Sequence, residues 1–353
     1  MIETFKARIL AGQPLCIRGS GSKDFYGNAP QGELLEARAY AGIVAYEPTE
    51  LFITAKCGTP LAEIETALAA QGQCLPFEPP RFGAGSTLGG VVAAGLSGPR
   101  RASAGAVRDF MLGVKLLDGT AHELTFGGQV MKNVAGYDIS RLIAGSLGTL
   151  GLILEVSLKV LPKPVAEATL RFALPQAEAL DKLNRWAGQP LPIAASAWLD
   201  GVLTLRLAGA RTAVEAAEKK LGGMKVGADG TAIDNSFWDE LRDQKTSFFA
   251  GALPLWRLSV PSVAPVLALP GATLIEWGGA LRWLRSTAPA DEIRTAAASV
   301  GGSATVFRCD PALKSAAGAF APLPAPLMSL HHRMKAAFDP HGIFNPGRLY
   351  KEF

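Results

Sequence analysis

The chain has 353 residues, 48% of them hydrophobic, which is enough for about two domains with cores of their own. Lysine and arginine exceed aspartate and glutamate by only four, without a basic run, so the composition argues against a nucleic-acid partner and suits a small anionic ligand. The N-terminus carries charge where a signal peptide needs an apolar core, and the uncharged stretches 82–99 and 258–275 are broken by glycines or by Pro261, Pro265 and Pro270. Neither stretch reads as a membrane span, so a cytoplasmic protein is expected. Cys16, Cys57, Cys74 and Cys309 are too far apart for a zinc site, an iron–sulfur cluster or a disulfide scaffold, and read as small buried apolar residues.

Residues Ile2 to Ala11 predict a short amphipathic helix with Phe5 and Ile9 on one face. Pro14 to Arg18 reads as a strand that empties into Gly19-Ser20-Gly21-Ser22-Lys23. Small residues there let successive N–H groups converge on phosphate oxygens, although an ordinary turn has the same composition. Gly42 to Tyr46 and Leu51 to Lys56 predict two strands around the turn Glu47-Pro48-Thr49-Glu50. Thr59 is expected to cap a helix with Pro60 in its first position, Leu61, Ile64 and Leu68 as its buried stripe and Gly72 at its end.

The stretch from Phe77 to Arg101 is the most unusual. Ser86 stands where a helix N-cap is expected, with Leu88, Val91 and Val92 as an apolar face. Gly85, Gly89, Gly90 and Gly95 interrupt that helix at about 1 kcal/mol each relative to alanine. Bare backbone there suits close approach of a flat, phosphorylated ligand to N–H groups at the helix start; tight helix packing would use the same glycines. Beyond it, Phe110 to Leu117 and Ala121 to Phe126 predict a hairpin turning at Asp118-Gly119, and Ile153 to Leu161 a strand closed by Pro162 and Pro164.

Five motifs in this order resemble those of the FAD-binding domain of the vanillyl-alcohol oxidase, or PCMH, family. They are Arg18-Gly19-Ser20-Gly21-Ser22, Tyr46-Glu47-Pro48-Thr49-Glu50, Thr87-Leu88-Gly89-Gly90, Gly105 to Asp109, and Gly136-Tyr137-Asp138 through Gly145-Ser146-Leu147-Gly148-Thr149-Leu150-Gly151. The tail from Met334 to Arg348, with Phe338-Asp339-Pro340-His341-Gly342-Ile343-Phe344-Asn345-Pro346-Gly347, resembles that family's closing segment; a purely structural helix and turn is the alternative. Between them, helix-like stretches (176–186, 212–221, 291–300) alternate with strand-like ones (167–174, 194–199, 202–208, 256–260, 273–277). The expected fold is therefore α+β: a PCMH-type FAD-binding domain over residues 1–164, a smaller ferredoxin-like cap over 165–325, and a C-terminal segment, 326–353, returning to the flavin.

The resemblance implies FAD contacts from Arg18, Gly19, Ser20, Gly21, Ser22 and Lys23. In the central stretch it implies Pro79, Gly85, Ser86, Thr87, Gly89, Gly90, Ala93, Gly95 and Gly98. Farther on it implies Asp138, Gly145, Ser146, Gly148, Gly151 and Ile153, and in the tail Asn345 and Arg348. Ser22 stands where covalent members carry the flavin-linked histidine, so the FAD is expected to be non-covalent.

No catalytic residue is identified. The histidines are His122, His331, His332 and His341; none falls in the cap, and adjacent His331 and His332 would point about 100° apart on a helix, so no metal is expected. The His-rich metal motif of the longer D-2-hydroxy-acid dehydrogenases is missing. In this the chain resembles the smaller, E-type FAD subunits of bacterial glycolate oxidases, which oxidise glycolate to glyoxylate. That resemblance implies a larger flavin subunit and an iron–sulfur subunit as partners, a small 2-hydroxy acid as substrate, and membrane contact only peripherally through the complex. A self-contained FAD-dependent hydroxy-acid or alcohol dehydrogenase and a non-catalytic flavin-stabilised scaffold are the alternatives. Arg206, Arg257, Arg282 and Arg308 could each hold a carboxylate, and spacing singles out none.

Overall fold

A computed structural model describes residues 1–128, 138–226 and 236–353; the motif residues Gly136 and Tyr137 lie outside the described residues. Two compact units interleave along the chain. The first comprises Met1–Leu96, Ala106–Pro162 and Pro311–Phe353, and the second Ser97–Gly105 and Lys163–Asp310.

In the first unit, α1 (Ile2–Leu10) buries Phe5 and Ile9 as its periodicity requires. β1 (Leu15–Arg18) pairs in parallel with β2 (Glu33–Glu36), a strand whose flanking glutamates hide it from pattern reading. β3 (Ile43–Glu47) and β4 (Phe52–Lys56) form the expected antiparallel pair. Helix α2 (Leu61–Ala70) buries Leu61, Ile64 and Leu68, but Pro60 rather than Thr59 is its N-cap residue. The Thr59 hydroxyl instead accepts from the Gly42 N–H and donates to the Gly42 carbonyl, tying the helix entry to the start of β3. A two-residue strand β5 (Gln73–Cys74) follows.

Helix α3 (Leu88–Ala94) is capped by Thr87, not by Ser86: the Thr87 hydroxyl accepts from Gly90 N–H, and Gly95 closes the helix with φ 65°. Ser86, one residue earlier, is buried and accepts from Lys23 Nζ at 2.6 Å. After α4 (Arg101–Ala104), which belongs to the second unit, β6 (Met111–Leu117) and β7 (Glu123–Gly127) make the hairpin, with the Asp118 carboxylate accepting from the N–H groups of Thr120 and His122. Helix α5 (Ile139–Ile143) leads to β8 (Leu152–Lys159), and β9 (Leu161–Pro162) pairs with β5. The main sheet of this unit runs β3-β4-β8-β6-β7, antiparallel throughout.

The second unit is built on one eight-stranded antiparallel sheet of β10 (Ala166–Ala173), β11 (Ile193–Leu199), β12 (Val202–Gly209), β13 (Met224–Lys225), β14 (Leu255–Ser259), β15 (Ala272–Glu276), β16 (Leu281–Arg285) and β17 (Ser303–Arg308). Its order, β13-β10-β12-β11-β15-β16-β14-β17, is the ferredoxin-like 4-1-3-2 arrangement followed by its mirror-ordered copy, the two halves joined edge to edge by β11 and β15. The expected cap is therefore double. In the first half, α6 (Gln176–Ala187) packs Ala179 and Leu183 on Leu203 and Leu205, and α7 (Arg211–Leu221) packs Val214 and Ala217 on Ala168, Leu170 and Leu207. Helix α8 (Ser236–Arg242) precedes β14.

Among the described residues, the second half is covered by α9 (Ala290–Ser299), with Ile293 and Ala297 in a core containing Trp256, Leu258 and Leu284. Where a second helix would lie between β14 and β15, Pro261, Pro265 and Pro270 forbid one, and Leu267 and Leu269 of that stretch pack on the same core. Buried Arg282 donates to the carbonyls of Ala264, Pro265 and Gly279, satisfying backbone that has no helical ladder.

The tail returns to the first unit through α10 (Pro311–Ala317) and α11 (Ala325–Phe338). Lys335 is the buried residue of α11, and its ammonium donates to Asp339 Oδ2 at 2.6 Å and to the carbonyls of Thr149 and Phe344. Asp339 in turn accepts from the N–H groups of Ile343 and Phe344. Burial pulls the Lys335 pKa below the ordinary lysine value against the opposing pull of Asp339, as expected for a charge held by partners rather than by water. Lys335→Met leaves the Asp339 carboxylate buried without its cation and is expected to cost about 3–5 kcal/mol in urea unfolding. A loss below about 1 kcal/mol would show that the pair is not what anchors the tail.

Candidate functional site

The glycine loop after β1 is held in place by the tail. Leu15 N–H donates to Ile343 O and Asn345 N–H to Leu15 O, so residues 343–345 run alongside the start of β1. The Asn345 side chain then reaches both ways: its Oδ1 accepts from Ile17 N–H at 2.7 Å and its Nδ2 donates to Leu147 O at 2.6 Å. Asn345 adopts φ 41°, a left-handed conformation that asparagine tolerates better than most residues. A Cβ on Gly148 would lie 2.6 Å from the Asn345 amide nitrogen, so the glycine at that point is required by the clamp.

The loop and the central glycine-rich stretch meet directly. A Cβ on Gly19 would fall 2.4 Å from the Thr87 hydroxyl, and Lys23 donates to Ser86 and, at 3.5 Å, to Ser22. Arg18 forms a half-exposed ion pair with Asp24 at 2.6 Å, and its guanidinium lies where a side chain on Gly21 would project. Gly145 N–H and Leu147 N–H donate to the carbonyls of Val92 and Ala93, at the end of α3, and Gly95 packs within 2.8 Å of the Gly145 Cα when given a Cβ. Four stretches far apart in sequence thus converge.

Two adjoining cavities open between them, sharing Ile17, Gly19, Thr87, Gly90, Ala93, Leu147 and Asn345 as walls. The larger, about 570 Å³ and open to solvent, is lined also by Arg18, Ser20, Gly21, Ser22, Lys23 and Arg348. The second, about 420 Å³, is lined by Ala37, Cys57, Gly89, Gly148, Gly151, Leu152 and Ile153. One end is cationic and glycine-rich, the other apolar. That division matches a pyrophosphate and a flat ring system, the two chemistries of FAD.

Gly90 shows the fit most clearly. A Cβ there would meet only the Thr87 hydroxyl, at 3.3 Å, so the room beside it is cavity. Gly89 differs, because its Cβ would lie 2.7 Å from that of Cys57 and 3.0 Å from the Cys57 carbonyl oxygen. Its bareness is already demanded by packing of α3 against the end of β4. Both purposes weighed for these glycines are present, at neighbouring positions.

The remaining expected residues take other places. Arg348 is buried at the wall, but its guanidinium donates to the carbonyls of Lys23, Asp24 and Asn28, and burial lowers its pKa. It pins the loop. Pro79 is buried; a Cβ on Gly85 would lie 3.3 Å from the Ser20 Cβ. The Ser146 carbonyl accepts from Thr149, and Asp138 caps α5 and pairs with Arg141 at 2.9 Å. Gly98 belongs to the second unit, where its carbonyl accepts from Trp277 Nε1. Sequence reasoning passed over Cys16, Ile17, Asp24, Pro30, Ala37, Cys57, Ala94, Leu147 and Leu152 as lining residues. They are ordinary strand, helix and loop residues in the sequence, brought to the cavity by long-range contacts such as Ile17 and Leu147 with Asn345, Ala37 with Arg18 and Cys57 with Leu154. The Cys57 thiol is pushed up to about 12 by burial and is inert at neutral pH.

Comparisons with known proteins place the chain by family and fold. The family model for the FAD binding domain matches residues 5–127, and that for the C-terminal domain of FAD linked oxidases matches residues 324–349. Glycolate oxidase subunit GlcE of Escherichia coli (strain K12) is 48% identical over 352 residues, covering 100% of this chain and 97% of GlcE. Glycolate oxidase subunit GlcD of Bacillus subtilis (strain 168) is 31% identical over 159 residues, 44% of this chain and 34% of GlcD. Among solved structures, an alkyldihydroxyacetonephosphate synthase shares the fold with a TM-score of 0.67 at 15% identity, over 98% of this chain and 74% of that one.

Gly90→Val is expected to weaken FAD binding at least about a hundredfold, or about 2.7 kcal/mol, while the chain still folds. Gly89→Val should instead lower the stability of the chain by about 1–3 kcal/mol through overpacking on Cys57. FAD titration and urea unfolding of both variants separate the two. Normal FAD affinity in Gly90→Val would remove that wall from the cofactor site.

Proposed function

We infer the function from the premise that this chain belongs to the FAD-linked oxidases, in the family of the glycolate oxidase subunit GlcE. It is an FAD-dependent oxidoreductase. We propose that it is the FAD-binding subunit of a multi-subunit glycolate oxidase, assembled with a larger GlcD-like flavin subunit and with an iron–sulfur subunit that takes the electrons. The likeness to GlcE over essentially the whole of both chains carries this reading.

In that role Arg18 and Lys23 offset the pyrophosphate charge, and the bare backbone at Gly90 leaves room for it to approach closely. Ala37, Leu152 and Ile153 give the second cavity dry walls that exclude water from the ring system. When bound, FAD supplies the two-electron acceptor for the hydride of a substrate C–H bond. Ser22 offers no imidazole for a covalent link, so acid denaturation is expected to release all of the flavin; colour left on the precipitated chain would contradict this.

The proton is the harder part of the reaction. Among the described residues, the titratable groups lining the two cavities are Cys16, Arg18, Lys23, Asp24, Cys57 and Arg348. Asp24 is paired with Arg18, and both thiols are held above their ordinary pKa by burial. A hydroxy acid needs its hydroxyl proton accepted as hydride leaves, and this lining presents no unpaired base to accept it. The lining therefore supports a chain that works within a complex.

No helix among the described residues is long and apolar enough to cross a membrane, and membrane contact is proposed to come through partner subunits. Anaerobic mixing of the FAD-loaded chain with excess glycolate is expected to bleach the flavin very slowly, and rapidly once GlcD-like and iron–sulfur subunits are added. Rapid bleaching by the chain alone would overturn the subunit reading in favour of a self-contained dehydrogenase.

A further inference from the structure

The arginines of the second unit are not equivalent. Arg282 donates to three carbonyls beneath the proline-rich stretch, and Arg285 to those of Phe248, Ala250 and Leu253. Arg206 is buried against the Trp238 ring, and Arg308 is half-buried beside Phe307, its pKa lowered to about 10 by desolvation. None of these four is without a partner.

Arg257 stands apart. Its strand neighbours Trp256 and Leu258 face the α9 core, so Arg257 projects from the opposite face of the sheet, beside Trp283 on β16 and Thr305 on β17. The guanidinium is half-buried and lies 5.2 Å from the centroid of the Trp277 ring. Among the described residues no hydrogen bond or ion pair engages it. Five N–H donors partly withdrawn from water without an acceptor are unfavourable unless something supplies one.

The ring beneath it is held at a backbone cost. Trp277 has φ 55°, a conformation rarely adopted by a bulky side chain, and is followed by Gly278 at φ 65° and Gly279 at φ 104°. The turn is locked from both sides: Trp277 Nε1 donates to Gly98 O, and Gly278 N–H to Ser196 Oγ, each at 3.0 Å. A second guanidinium, Arg101, lies 4.5 Å from the same ring centroid. The neighbouring carboxylate, Glu276, accepts from Trp283 Nε1 at 2.7 Å.

Two guanidiniums on one strained, locked indole, one of them without an acceptor, form a platform for a planar anion. Stacking engages the face of a guanidinium and leaves its N–H edge for a carboxylate. We propose that Arg257, oriented by Trp277 and flanked by Arg101, is the carboxylate-binding residue of the second unit and takes a small 2-hydroxy acid; the identity of that acid, though not the site, rests on the glycolate oxidase reading.

The test is calorimetric titration of the FAD-loaded chain with oxalate, a small carboxylate that needs no turnover to be seen. The wild-type chain is expected to bind oxalate in preference to inorganic phosphate. Arg257→Met keeps an apolar cover over Trp277 and should weaken oxalate binding about tenfold to a hundredfold, with FAD content and unfolding midpoint unchanged. Arg257→Lys should fall between, having the charge without the planar fork. Wild-type oxalate affinity in Arg257→Met, equal binding of phosphate, or no oxalate binding by the wild-type chain at millimolar concentration would each overturn the assignment. Because flavin bleaching is not the readout, failure here is distinguishable from failure of the glycolate oxidase reading.

Discussion

The side-chain amide of Asn345 is the interaction on which the cofactor-binding unit depends. It satisfies one N–H of β1 and one carbonyl of the loop at Leu147, and it does so from a backbone conformation that the tail must impose. Around it, Lys335 and Asp339 fix the tail on its inner side, and Arg348 fixes the 23–28 loop on its outer side. Asn345, Lys335 and Arg348 each reach the backbone of another segment. The cavity walls are therefore set by long-range polar contacts rather than by the local preference of the glycine loop, which alone would sample many conformations.

This division explains what could be read in the sequence. The hairpin of β6 and β7 and the buried stripes of α1 and α2 follow from periodicity and turn chemistry, while the order of motifs is legible only as a family resemblance. The cap of α3 does not: Ser86 and Thr87 are both good capping residues, and the choice is made by Lys23, which takes the Ser86 hydroxyl from 63 positions away. Gly89 and Gly90 are likewise indistinguishable as letters. Only the position of Cys57 makes the first a packing glycine and leaves the second beside open space.

In the second unit, alternation of apolar and polar residues marks five strands, whereas β16, β17 and the two-residue β13 carry no such mark. Leu281-Arg-Trp-Leu-Arg reads as a charged segment because its arginines are buried against backbone carbonyls, an arrangement with no local signature. The doubled sheet order was also hidden, since one half replaces a helix with the proline-rich stretch 261–270. Carbonyl contacts likewise separate Arg282 and Arg285 from Arg257, which composition treats alike.

The central claim is that the stretches Arg18–Lys23 and Thr87–Gly90, locked together by the tail, hold the FAD pyrophosphate. An experimental structure of the FAD-loaded chain tests this most directly. The account predicts pyrophosphate oxygens against the backbone of Gly19 to Ser22 and beside Gly90, with the flavin ring in the cavity walled by Gly148 and Ile153. A pyrophosphate bound elsewhere, with the Arg18–Lys23 loop closed on its own side chains, would contradict it.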